Sequence, residues 1–164
     1  MQFLLDGMLG RLTRWLRMIG CDAYYSRDGS DADLMRQARE DSLILLTCDV
    51  QLYRVAIARG VECFLIQGTN ESERLANLAA RFNIELKIDT ERSRCPACGT
   101  LIKCVSKEKI ATRIPTATFK LYQSFWVCPN ASCAKVYWQG SHWKRIEETL
   151  QNARIILENK QHEY

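Results

Sequence analysis

Histidine is almost missing from this chain: of 164 residues, only His142 and His162 carry an imidazole. The first half has none, so Cys48, beside Asp49, lacks the partner that would activate it as a nucleophile. It reads instead as a small buried residue. Long apolar runs are also missing. No segment approaches the roughly 20 apolar residues that span a bilayer. The opening Met1-Gln2-Phe3-Leu4-Leu5-Asp6 has neither a basic region nor the long apolar stretch of a secretory signal. The expected location is the cytoplasm. Internal repeats and low-complexity segments are absent too. What is present is an ordinary globular composition, with 47% hydrophobic residues, enough to build a core and exclude wholesale disorder. The length suits one domain, or one domain with a small added module.

The first half alternates short apolar runs with helical spacing. Gln2–Leu5 and residues 23–25, 43–46 and 61–66 have strand length. Leu9, Leu12, Leu16 and Ile19 recur at steps of three and four, as on one face of a helix, and Gly20 suits its end. Ser30-Asp31 offers an N-cap to a helix carrying Leu34 and Ala38. Further helices run through Leu52 and Val55 to Gly60, and through Leu75, Leu78, Ala79 and Phe82. This β-α alternation predicts an α/β fold with a mainly parallel central sheet flanked by helices. Beyond residue 90 the texture changes to cysteines, lysines and short β-prone pieces, then a terminal helix over 144–160. The expected division is 1–90 and 91–164. The charge divides similarly. Residues 1–90 hold 11 basic and 13 acidic side chains, net −2; the remainder hold 12 and 6, net +6. Such an asymmetry suits a carboxylate metal site joined to a polyanion-holding arm.

Eight cysteines are many for a reducing compartment, where thiols point to metal or catalysis. Cys95-Pro96-Ala97-Cys98-Gly99 has C-x2-C spacing. Cys128-Pro129-Asn130-Ala131-Ser132-Cys133 has C-x4-C spacing, with room between the pairs for a β-hairpin. Four thiolates make a closed tetrahedral Zn²⁺ site that supports folding rather than hydrolysis. Cys104 is the spare, either core or an alternative ligand.

Asp6 follows the first strand, Asp49 closely follows the third, and Asp31 opens a helix. In a parallel sheet the carboxyl ends of the strands face one crevice, where ligands bind. Carboxylates gathered there repel unless a cation neutralises them, and Mg²⁺ or Mn²⁺ suits oxygen ligands with open water positions. Such an ion can drive phosphodiester hydrolysis. Asp31 is either a ligand or only a cap. Asp33, with Asp28 and Asp22 nearby, can assist it, or can simply favour the helix dipole.

Arg11, Arg14 and Arg17 lie three apart and either hold substrate phosphates or form a solvated face. Lys107, Lys109 and Arg113, followed by Phe119, Tyr122, Phe125 and Trp126, suit single-stranded nucleic acid; the aromatics equally suit a miniature core. His142 either contacts phosphate or bonds within its turn.

The segments Leu5-Asp6-Gly7-Met8-Leu9-Gly10-Arg11-Leu12, Arg14-Trp15-Leu16-Arg17 and Leu45-Leu46-Thr47-Cys48-Asp49, the cysteine pairs, and Val136-Tyr137-Trp138-Gln139-Gly140-Ser141-His142-Trp143 together resemble the mut-seven C-terminal ribonuclease domain family. The resemblance covers about residues 2–146. It implies a PIN-like domain with a small β-rich zinc ribbon and a C-terminal helix, acting as a metal-dependent (endo)ribonuclease on RNA. It carries the metal site to Asp6, Asp31 and Asp49. The family usually has Thr-Arg-Asp where this chain has Thr47-Cys48-Asp49, a departure that bears on one substrate contact and not on the carboxylate. PIN nucleases commonly have a fourth acidic residue, for which Asp33 is the nearest candidate here. The alternative is a non-catalytic zinc-ribbon module that binds RNA or protein on a degenerate PIN scaffold.

Overall fold

The computed structural model describes residues 1–162. The last two residues of the 91–164 segment lie outside the described residues. Four parallel strands form the central sheet: β1 (Gln2–Leu5), β2 (Asp22–Tyr25), β3 (Ile44–Thr47) and β4 (Cys63–Leu65), in the order β2-β1-β3-β4. The two central strands are the most apolar. All four residues of β3 are buried, as are Phe3, Leu4 and Leu5 of β1. Strand alternation sorts these side chains to opposite faces. Phe3, Leu5, Ile44 and Leu46 enter one core; Leu4 and Leu45 enter the other.

Each strand is followed by a helix. α1 (Gly10–Met18) lays Leu12 and Leu16 on the first core, and α4 (Glu71–Phe82) adds Leu75 and Leu78. α2 (Asp31–Glu40) and α3 (Val50–Ala58) cover the other face with Leu34, Met35, Leu52 and Ala56. Just past α1 and its cap Ile19 stands Gly20, whose φ of +92° permits the chain to reverse; its N–H and that of Cys21 bond to the Arg17 and Leu16 carbonyls.

The second sheet is antiparallel and smaller. It contains β5 (Lys103–Val105), β6 (Phe125–Val127) and β7 (Val136–Tyr137), in that order. β5 and β6 pair as the hairpin expectation requires. The connection between them is more than a loop: it forms a 3-10 turn over Lys107–Arg113 and α5 (Thr116–Leu121). Fully buried Phe125 and Ile110 give this module its own small core.

The chain then returns to the first layer. α6 (Trp143–His162) packs against α4, and its Leu150 and Ala153 join the core beneath the parallel sheet. Arg17 ties the two modules together. This buried guanidinium donates to the carbonyls of Ala23 at 2.8 Å, Pro96 at 3.1 Å and Ala97 at 2.9 Å. It is therefore not part of a solvated face.

Candidate functional site

Because all four strands of the main sheet run parallel, their carboxyl ends share one edge. Asp6 leaves β1 there and is buried. Its Oδ1 accepts from the Met8 N–H at 2.9 Å, and its Oδ2 accepts from the Thr47 hydroxyl. Thr47, at the end of β3, is fully buried; its oxygen also accepts from the Asp49 N–H at 2.9 Å. One hydroxyl thus links the ends of the two central strands. Asp49 is exposed and caps α3, its Oδ1 accepting from Gln51 at 2.6 Å and Leu52 at 3.1 Å. Among the described residues its Oδ2 has no hydrogen-bond partner.

Asp31 is the first residue of α2 and is exposed. It is not the cap. That role belongs to Ser30, which accepts from the Asp33 N–H at 3.2 Å. Asp33 is occupied within its own helix turn: its Oδ2 accepts from the Ser30 hydroxyl at 2.6 Å, and its Oδ1 pairs with Arg36 at 2.5 Å. The Ser30 hydrogen bond and then the Arg36 charge hold its carboxyl below the usual aspartate range.

A carboxylate that sequence reasoning missed lies at the same edge. Glu71 opens α4 after β4, as the aspartates follow their own strands. Among the described residues its Oε2 is the one buried side-chain oxygen or nitrogen without a hydrogen-bond partner. Arg74 approaches its other oxygen at 3.5 Å. Burial pushes the Glu71 carboxyl upward, against the pull of Arg74 and Arg11. The Cys48 thiol lies within the fields of both Asp6 and Glu71. Burial raises its pKa, Arg74 opposes this, and the two carboxylates add to the rise, so it stays neutral. The available signal for Glu71 was its position. It starts the helix that follows the fourth strand, although the five residues Ile66–Asn70 between them obscure the match.

The other site is tighter. Cys95, Cys98, Cys128 and Cys133 bring their sulfurs within 4.8 Å of one another. Cys95 and Cys133 are 3.6 Å apart, and Cys98 and Cys128 3.4 Å. A tetrahedron with Zn–S bonds of about 2.3 Å has edges of about 3.8 Å, so these four can hold a metal such as zinc. Gly99 makes the knuckle turn with φ +82°, and a Cβ there would meet Arg17 Nε at 3.2 Å. The Tyr137 hydroxyl lies 2.9 Å from Cys95 Sγ, a supporting contact behind the ligand. Cys104 is exposed on β5 and takes no part. Among the described residues this is the one group of three or more such side chains so close together; Asp6, Asp31 and Asp49 do not gather to that distance.

A family model, the Mut7-C RNAse domain, matches residues 1–150, spanning both the aspartate edge and the cysteine set. The chain belongs to the Mut7-C RNAse domain family. Comparison with curated proteins and with solved structures gives no match. The match supports the ribonuclease resemblance read from the segments around Asp6, Thr47 and the cysteine pairs, and RNA is the substrate class a ribonuclease family implies. No helix among the described residues is long and apolar enough to cross a membrane.

In this Mut7-C chain the basic candidates separate. Arg11 and Arg14 are exposed on α1. Lys107 sits 4.6 Å from the Phe119 ring centroid and bonds Gln123 at 3.3 Å; Arg113 donates to the Ala134 carbonyl. Lys109 is exposed, as is His142 in the turn before α6.

Proposed function

We propose that this chain is a metal-dependent ribonuclease that hydrolyses phosphodiester bonds in single-stranded RNA. The observation that carries the reading is the arrangement of carboxylates at one sheet edge: Asp6 and Asp49 bridged by Thr47, and Glu71 with an unpartnered buried oxygen. An orphaned buried carboxylate oxygen is costly unless something positive meets it. Asp6 and Asp49 are the residues that would hold Mg²⁺ or Mn²⁺, with Glu71 taking the fourth acidic place and Asp31 at the rim. Carboxylates less tightly gathered than the cysteines suit Mg²⁺, which keeps several waters and needs only one or two protein carboxylates. When bound, such an ion supplies Lewis acidity for attack by water and for charge on the leaving oxygen.

The chain's own residues prepare the site. Thr47 fixes the Asp6 carboxylate, and the α3 cap fixes Asp49. Cys48 stays protonated and takes no nucleophilic part. The four cysteines hold Zn²⁺ in a closed structural site, and the basic ribbon helps bind RNA. Attack by water leaves 5′-phosphate and 3′-hydroxyl ends.

The test is incubation of purified protein with a labelled single-stranded RNA in Mn²⁺. Cleavage to 5′-phosphate ends that disappears in Asp6→Asn supports the reading; 2′,3′-cyclic phosphate ends, or full activity in Asp6→Asn, overturn it. RNA binding without cleavage would leave the non-catalytic module.

A further inference from the structure

Between α1 and the cysteine module lies a cleft of about 610 Å³, lined by Arg14, Arg17, Tyr25, Arg27, Lys135 and Tyr137. That volume falls within the roughly 300–1,000 Å³ of ligand sites. Arg17 is already committed to the carbonyls of Pro96 and Ala97, so it forms part of the wall. Arg14, Arg27 and Lys135 are different. All three are exposed, and among the described residues none pairs with a carboxylate. Three uncompensated cations around one concavity repel each other and raise the local potential for an anion.

The cleft also has a rigid aromatic. The Tyr25 hydroxyl donates to the Gly7 carbonyl at 3.0 Å, fixing the ring. Gly10 makes room for it, since a Cβ there would stand 2.8 Å from that hydroxyl. Gly7 is the residue after Asp6, and the Arg27 carbonyl lies against Gly7 so closely that a Cβ would meet it at 2.5 Å. Two lining residues, Tyr25 and Arg27, therefore abut the residue that follows Asp6. On the ribbon side, the Lys135 carbonyl accepts from the N–H of Cys128, which fixes the backbone that carries this cation beside the cysteine site. By contrast, Lys107 and Arg113 are already engaged by Phe119, Gln123 and Ala134.

We propose that this α1–ribbon cleft is the track for a single-stranded polynucleotide, with Arg14, Arg27 and Lys135 on phosphates and Tyr25 stacking a base. The inference rests on the ribonuclease reading and names how its substrate reaches Asp6. A free base face is what a stacking tyrosine requires, and paired strands do not offer one.

The test is fluorescence anisotropy with a fluorescein-labelled oligouridylate, no divalent ion added. Arg14→Glu, Arg27→Glu and Lys135→Glu should each weaken binding about tenfold and together abolish it. Neutralising one phosphate contact should flatten the log K against log salt slope by about 0.7. Tyr25→Leu should weaken binding about fivefold or more. Unchanged zinc content and circular dichroism show that the variants fold. Affinities within twofold of the parent, no binding by the parent, a larger loss in a Lys107, Lys109 and Arg113 charge-reversal variant, or equal competition by an RNA duplex would each overturn the track. A parallel Mn²⁺ cleavage assay separates the two readings. Cleft-dependent binding without cleavage overturns the nuclease and leaves the track; cleavage indifferent to the cleft variants does the reverse.

Discussion

Arg17, on the first helix, donates to the Ala97 carbonyl at 2.9 Å, one residue before the cysteine-site thiol of Cys98. The knuckle and the parallel sheet are thus fastened by a side chain that has no exposed role. Arg17→Met should leave three carbonyls without their donor and cost about 2–4 kcal/mol. The check is a denaturant melt. Zinc should also be lost faster to a chromophoric chelator, because the carbonyls of Pro96 and Ala97 no longer hold the turn.

Zinc content should be about one ion per chain, the number a single Cys₄ site holds. Cys98→Ser or Cys133→Ser should lose it and unravel residues 91–143. The sheet core around Leu45 and Leu46 makes no use of the metal and should keep its far-ultraviolet signature. Elemental analysis and circular dichroism measure the two effects. Protein purified without chelator and lacking zinc would refute the site.

Thr47→Val keeps the shape of a buried side chain but removes the hydroxyl between Asp6 and Asp49. Cleavage of single-stranded RNA should fall roughly 10–100-fold, the usual effect of losing a group that orients metal ligands. Apparent Mn²⁺ affinity in the same assay should weaken in parallel. Unaltered kinetics would show that the hydroxyl serves only packing.

Glu71→Gln should abolish cleavage and raise the melting temperature of the protein without divalent ions at neutral pH. The sign follows from burial. Folding raises the Glu71 pKa, so the wild type loses stability as pH rises from the ordinary glutamate value through the folded one. The amide does not titrate, so the gap should be absent in acid and open toward neutrality. Calorimetry at several pH values measures it. A fall in melting temperature at pH 7 would instead make Glu71 a structural partner of Arg74.

The main sheet was legible because its central strands are buried on both faces and leave continuous runs such as Leu43-Ile44-Leu45-Leu46. Spacing revealed the cysteine set because tetrahedral coordination constrains local sequence. Besides Glu71, three features were not legible. The Ser30 cap is one residue from Asp31, and both types cap well. Arg17 has the same three-residue spacing as Arg11 and Arg14, and only the folded knuckle shows what it bonds. The turn and short helix inside the β5–β6 connection carry weak apolar periodicity, with Ile110 as their one buried side chain.

The return of the last helix to α4 bears on synthesis. Leu75 and Leu78 leave the ribosome about seventy residues before Leu150 and Ala153, which share their core. Until then that part of the sheet's covering layer is incomplete, and the cysteine module must emerge in between. A nascent chain halted after Trp138 would carry its metal ligands but display bare leucines, the surface that chaperones hold and proteases find. Completion of this fold therefore waits on α6, and damage near residue 150 would be felt by a sheet whose strands were made first.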